Sequence, residues 1–293
     1  MMTPLSHPLI TSVCYVRVAV QEVHAASRFA ADLFGLQRVA SADGEVAFRS
    51  DHRFQTVTFS EGKTDGDSIG VEVWSEAALD DIEVRLLEHD FTVVRASAEI
   101  CQRRHIHSAL LAQDGSGNAI DLVLRPTQSG RRYFPSRDAG IRRFHSIGLR
   151  STRPTRDLQF WTALGAEVRD WVGDIAYLRL DGMHHRIALH PSQHNGLLYA
   201  AFEVESLDSI MQNNYFMQES QIKIVQGPGR QPCSEQTFLH VEGPDGIIFS
   251  YVYGMSEPGN TGRPARQFPL AAESFCSWGS ESKDVPELQA ANS

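Results

Sequence analysis

The chain repeats itself, and the repeat limits its fold more than any other feature. VCYVRVAVQEVHAASRFAADLFGL, starting at Val13, and FHSIGLRSTRPTRDLQFWTALGA, starting at Phe144, each open with alternating apolar residues, pass a polar turn and enter a segment of helical spacing. Phe29, Leu33 and Phe34 mark the first helix; Leu158, Trp161 and Leu164 mark the second; Gly35 and Gly165 stop them. Further along, SIGVEVWSEAALDDIEVRLLEH answers YAAFEVESLDSIMQNNYFMQE, a strand running into an amphipathic helix. Each half closes on a glycine-bearing turn and a strand, DGSGNAIDLVL and GPDGIIFSYVY. The expected fold is α+β, with four βαβββ units paired into two tandem domains whose curved mixed sheets surround a cavity. The domains are expected at 8–126 and 139–256, joined by a linker at 127–138. From 257 to 293 the chain is rich in Ser, Pro, Gly and charge, and is expected to be loosely held.

Composition narrows the partners. The 293 residues are 42% hydrophobic, enough for a sizeable core, and the net charge is −9. That charge, with no basic pair extending into a patch along the sequence, argues against nucleic acid and anionic membrane and leaves a neutral small molecule or a protein as the partner, a small-molecule substrate being expected. No apolar run reaches bilayer length and the N-terminus has no signal-like pattern, so a cytoplasmic location is expected. The four cysteines, Cys14, Cys101, Cys233 and Cys276, are scattered without a CxxC and read as buried thiols.

FHSIGLRS, HHRIAL, GLLYAAFEV followed by LDSI, GPGR and GPDGIIFSYVYG stand in an order that resembles the vicinal oxygen chelate superfamily, and within it the type I extradiol dioxygenases of the 2,3-dihydroxybiphenyl kind. The resemblance covers roughly residues 8 to 255. It implies an N-terminal structural half, a C-terminal half with the site, and a tendency to form homo-oligomers. It also implies ferrous iron on two histidines and a glutamate. Carried over, the first ligand position holds His145, the second Tyr199 and the third Ser250. Only the first matches, so the resemblance read through these residues leads to the expectation of no cofactor, with Fe(II) as the alternative. A phenol must lose a proton of pKa ~10 to bind iron, and serine is a weak neutral ligand.

The same resemblance places His185, of the pair His184–His185, as an acid/base residue and Gln231, Ser234 and His240 among the polar residues of the pocket. The expected catalytic set is His145, His185, Tyr199 and His240, with Gln231, Ser234 and Ser250 binding substrate. In the N-terminal half the equivalent positions are read as Tyr15, Ser68 and Asp121, and the remaining histidines His105, His107, His190 and His194 as packing or surface residues. The leading reading is an extradiol-dioxygenase-like enzyme doing acid/base chemistry (isomerisation, hydrolysis or C–C cleavage) without a metal. Its substrate would be a small aromatic, quinone-like or enolisable keto compound. The alternatives are a dioxygenase with displaced Fe(II), held by His145, His240 and an acid such as Glu242, and a non-catalytic binding protein.

Overall fold

The computed structural model describes residues 7–62, 67–257 and 263–290. The four expected units are present. The first is β1 (Ile10–Val20), α1 (Val23–Arg28, continued by a π-helical turn Phe29–Phe34), β2 (Gln37–Val39), β3 (Glu45–Arg49) and β4 (Val57–Glu61). The second is β5 (Ser68–Val73), α2 (Glu76–Glu88), β6 (Val93–Arg95), α3 (Ala98–Arg103), β7 (Ile106–Gln113) and β8 (Ala119–Pro126). The third is β9 (Ile141–Ser151), α4 (Pro154–Ala163), β10 (Glu167–Val172), β11 (Ile175–Arg179) and β12 (Ile187–Pro191). The fourth is β13 (Gly196–Val204), α5 (Leu207–Glu219), β14 (Ile224–Arg230), β15 (Thr237–Glu242) and β16 (Ile248–Tyr253).

Local chemistry sets the boundaries. Ser75 and Ser206 cap α2 and α5, each hydroxyl accepting from the backbone N–H three residues on at 3.2 Å. Pro154 opens α4, where its missing N–H costs nothing. Gly35 closes α1 at φ 102°, a left-handed conformation that side-chain-bearing residues avoid.

The strands form two mixed sheets of the same plan, β2-β3-β4-β1-β5-β8-β7-β6 and β14-β15-β16-β13-β9-β12-β11-β10, the latter extended by β17 (Arg266–Phe268). In each, the first strands of the two units pair antiparallel at the centre, β1 with β5 and β9 with β13. One apolar core runs through both halves. Phe34 of α1 stacks on Tyr251 of β16 at 4.2 Å and meets Phe202 of β13 at 5.1 Å, while Phe160 of α4 meets Phe91 of the N-terminal half at 5.1 Å. Each half thus sets a helix residue into the other. Arg137 fastens the connecting segment, donating to the Leu33 carbonyl and to the Tyr251 hydroxyl.

The segment beyond 257 departs from expectation. Its described part is packed: β17 pairs with β10, and Phe275, Cys276 and Leu288 join Tyr177, Tyr199 and Phe238 in a second apolar cluster. Composition suggested looseness because the apolar residues are sparse along this segment. Those few carry the attachment by packing onto apolar residues of the C-terminal sheet. No helix of the described residues is long and apolar enough to cross a membrane.

Candidate active site

The register of the C-terminal sheet decides which side chains meet, because residues directly opposite one another share a face. One transverse row runs His240–Ser250–Ala201–Ser146 across β15, β16, β13 and β9. The next runs Tyr199–Gly148–Ala188–Tyr177–Asp170 across β13, β9, β12, β11 and β10. Ser146, not His145, is therefore in line with Ser250. His145 sits at a bulge in β9, between the pairs Phe144–Phe202 and Ser146–Ala201, with its Nδ1 3.0 Å from Ser146 Oγ. It lines a cavity between the halves. Burial, with Arg186 and Arg143 nearby, holds its pKa well below the usual imidazole value.

Tyr199 lies across Gly148: a Cβ built on the glycine would stand 2.2 Å from Tyr199 Cε1. The phenol thus fills space at the centre of the sheet. Its ring stacks on His240 at 5.8 Å, and His240 in turn stacks on Phe238 at 4.5 Å. His240 Nδ1 is 2.6 Å from Ser250 Oγ. Burial lowers the His240 pKa to about 3 and raises that of Tyr199, so both are neutral near pH 7.

A proton-relay geometry stands on the other side of Tyr177. His184 Nε2 is 2.7 Å from Asp170 Oδ2, and His184 Nδ1 is 3.0 Å from His185 Nδ1. Burial alone would raise the Asp170 pKa, but hydrogen bonds from His184, Arg266 and Arg263 outweigh it and hold Asp170 as a carboxylate. His184 therefore donates its Nε2–H to Asp170, its bare Nδ1 accepts from His185 Nδ1–H, and His185 Nε2 is left with a lone pair. That Nε2 is buried and has no hydrogen-bond partner. The Tyr177 ring meets the His185 ring edge-on at 4.9 Å, and its hydroxyl accepts from Gln231 Nε2 at 2.9 Å. Ser234 Oγ donates to Gln231 Oε1 at 2.5 Å. The expected substrate-binding pair thus braces Tyr177.

Sequence reasoning missed three members. His190, read as a packing or surface residue, lies edge-on to Tyr199 at 5.8 Å, donates Nδ1–H to the Glu287 carbonyl at 3.0 Å, and leaves Nε2 buried without a partner. Burial lowers its pKa to about 4. Alternation in HHRIALH, which sets His190 two residues beyond Ala188, was the available signal. Asp170 and Arg266 come from distant segments and carry no local signal. Glu242 is exposed at the end of β15 and pairs with Lys223. In the N-terminal half, the pairing makes Cys14 rather than Tyr15 the counterpart of His145. Tyr15, Ser68 and Arg104 all donate to Asp121, closing that position as a buried polar network.

Comparison with known proteins places this geometry. The profile of the Glyoxalase/Bleomycin resistance protein/Dioxygenase superfamily matches residues 143–251. The chain is 25% identical over 262 residues to the 3-methylcatechol 2,3-dioxygenase of Pseudomonas putida, covering 83% of this chain and 89% of that one. A halotolerant catechol dioxygenase superposes with TM-score 0.85 at 17% identity, over 97% of this chain and 98% of its own. A Mn(II)-bound glyoxalase from Novosphingobium aromaticivorans superposes with TM-score 0.84 at 20% identity, over 98% and 96%.

The last of these corrects the expectation of no cofactor, since a protein of the same fold over nearly its whole length carries a divalent ion. That expectation rested on reading three positions alone. Tested against the residues present, the row at the sheet centre offers hydroxyls and one imidazole but no carboxylate. Among the described residues, no group of three His, Cys, Asp or Glu side chains is arranged to hold an ion. The donors at the sheet centre do not fit an ion. The C-terminal half of the chain carries a domain of the Glyoxalase/Bleomycin resistance protein/Dioxygenase superfamily, on an extradiol-dioxygenase-like fold of two mixed sheets.

Proposed function

We propose that this protein is an enzyme on the extradiol dioxygenase scaffold that moves protons on a small aromatic, quinone-like or enolisable keto compound. The observation that carries the reading is the bare, buried Nε2 of His185 with Asp170 and His184 behind it. Burial, with His184 adding to it, keeps His185 neutral near pH 7, so it is available as a base. When Nε2 takes a proton, the imidazolium is stabilised through His184 by the Asp170 carboxylate. Tyr177 receives a hydrogen bond from Gln231 and keeps its own proton to give to a substrate oxygen. Phe275 and Leu288 pack with Tyr177 and Tyr199 in one buried apolar cluster, a dry setting that strengthens each of these interactions.

The test is wash-in of solvent deuterium into phenylpyruvate, an enolisable aryl keto probe, followed by NMR. His185→Gln is expected to slow exchange by roughly 100-fold or more. A second reading, ring cleavage of a catechol with a divalent ion, is favoured by the Pseudomonas relative. Oxygen uptake with 3-methylcatechol after Fe(II) or Mn(II) loading, unchanged in His185→Gln, would replace the first reading with the second.

A further inference from the structure

A cavity of about 420 Å³ is lined by residues of both halves and of the segment that joins them. Six arginines line it, Arg53, Arg131, Arg132, Arg142, Arg143 and Arg186, against a single carboxylate, Asp51. This concentration is not what the chain's net charge of −9 would produce by chance placement. Two adjacent pairs, Arg131–Arg132 and Arg142–Arg143, are brought together with the distant Arg53 and Arg186 by the fold.

The charges are unevenly satisfied. Asp51 is occupied by Arg53, which reaches it through its backbone N–H at 2.9 Å and its guanidinium at 2.8 Å, and by the Phe144 N–H at 3.2 Å. Arg186 pairs with Asp181 at 2.6 Å and donates to the His145 carbonyl at 3.1 Å; Arg143 pairs with Glu203. Arg131, Arg132 and Arg142 have no carboxylate partner among the described residues. A second, independent feature points the same way. Tyr133 lines the cavity, and its hydroxyl is buried with no hydrogen-bond partner. A buried hydroxyl without a partner is uncommon in folded proteins and marks a place where an acceptor belongs.

Unpaired guanidinium groups beside an unsatisfied hydroxyl donor call for an oxyanion, which accepts from both. The volume and the rings of Tyr133 and Phe144 leave room for an apolar body attached to it. We infer that this cavity binds a small organic anion, its oxyanion held by the unpaired arginines and the Tyr133 hydroxyl and its aromatic body set between the halves. Arg186 connects the cavity to the candidate active site, because it follows His185 in the chain and holds the backbone of His145, whose ring touches Ser146.

Calorimetric titration of the full chain with benzoate, phenyl phosphate, inorganic phosphate and catechol tests this. Benzoate or phenyl phosphate is expected to bind saturably at one site, weakening as salt is raised. Binding should fall at least tenfold in the double variant Arg131→Glu/Arg142→Glu, both exposed positions, and roughly tenfold in Tyr133→Phe, which removes only the hydroxyl. Carboxylate and phosphate sources are separated by which of the two aryl anions binds more tightly. No saturable binding of either, or binding unchanged in both variants, would overturn the assignment. Inorganic phosphate or neutral catechol binding this site as tightly as the aryl anions would overturn the organic-anion assignment.

Discussion

Tyr199 on β13 lies directly over Gly148 on β9, and the N-terminal half mirrors the arrangement with the strands exchanged: Tyr15 on β1 lies over Gly70 on β5, where an added Cβ would stand 2.7 Å from the ring. In both sheets a phenol from one central strand occupies space that any side chain on the other would claim. Gly148→Ala drives a methyl group into the Tyr199 ring and is expected to destabilise the protein by about 3 kcal/mol, as overpacking of a close-packed core does. Tyr199→Ala should relieve the clash, so urea denaturation of the double variant is expected to show coupling of ~1 kcal/mol or more. Strict additivity would mean that the two residues do not share this space.

His184 and His185 make a prediction about proton position. Nitrogen-15 spectra at pH 7 are expected to show His185 neutral, with Nδ1 protonated and Nε2 bare, and to show no titration at the ordinary imidazole pKa, because burial lowers its pKa well below that value. A His185 that titrates near ~6.5 would remove the base from the proposed chemistry.

Acid should loosen the fold at mild pH. His190 and His240 have folded pKa values of about 4 and about 3, against about 6.5 when unfolded. Between these values the unfolded chain binds more protons than the folded one, so stability rises with pH across this window. It is complete above the unfolded pKa and is lost as pH falls toward the folded values. From pH ~7 to pH ~5 each imidazole is expected to cost roughly 2 kcal/mol. Asp114, raised to about 7 by burial and by Asp157, acts with opposite sign and offsets part of this. His190→Gln should flatten the slope measured by urea denaturation; a slope unchanged by the substitution would contradict the assignment.

The packed C-terminal segment should show directly in stability. Phe275 and Leu288 are both buried in the second apolar cluster, and truncating either to alanine is expected to cost about 3 kcal/mol. Urea denaturation of the two variants measures it, and losses below ~0.5 kcal/mol would mean that the segment is only resting on the sheet.

Much of the fold could be read from periodicity, because strand alternation and helical spacing are local and the repeat printed them twice. The site was only partly legible. Tyr199, His240 and Ser250 could be picked out because they lie on strands that the repeat marks, and His185 because it stands in a His-His pair. His145 lies at a bulge in β9, between the Phe144–Phe202 and Ser146–Ala201 pairs, and no composition signal marks a bulge. Asp170 and Arg266 meet only because β17 docks on β10, a pairing of two short segments from opposite ends of the C-terminal half. The cationic cavity was missed because its two arginine pairs, Arg131–Arg132 and Arg142–Arg143, join Arg53 and Arg186 only in the fold.

Phe34 inserted among Phe202, Phe249 and Tyr251, and Phe160 set against Phe91, amount to a reciprocal exchange between two copies of one plan. Two separate half-length chains making this exchange would be a twofold dimer, each protomer unable to complete its core alone. The segment carrying Arg137 ties those protomers into one molecule, replacing a concentration-dependent association by an intramolecular one whose effective concentration is set by a short tether. The exchange therefore costs this chain no dilution, and the two halves are free to diverge: one around the Asp121 network, the other around its imidazoles.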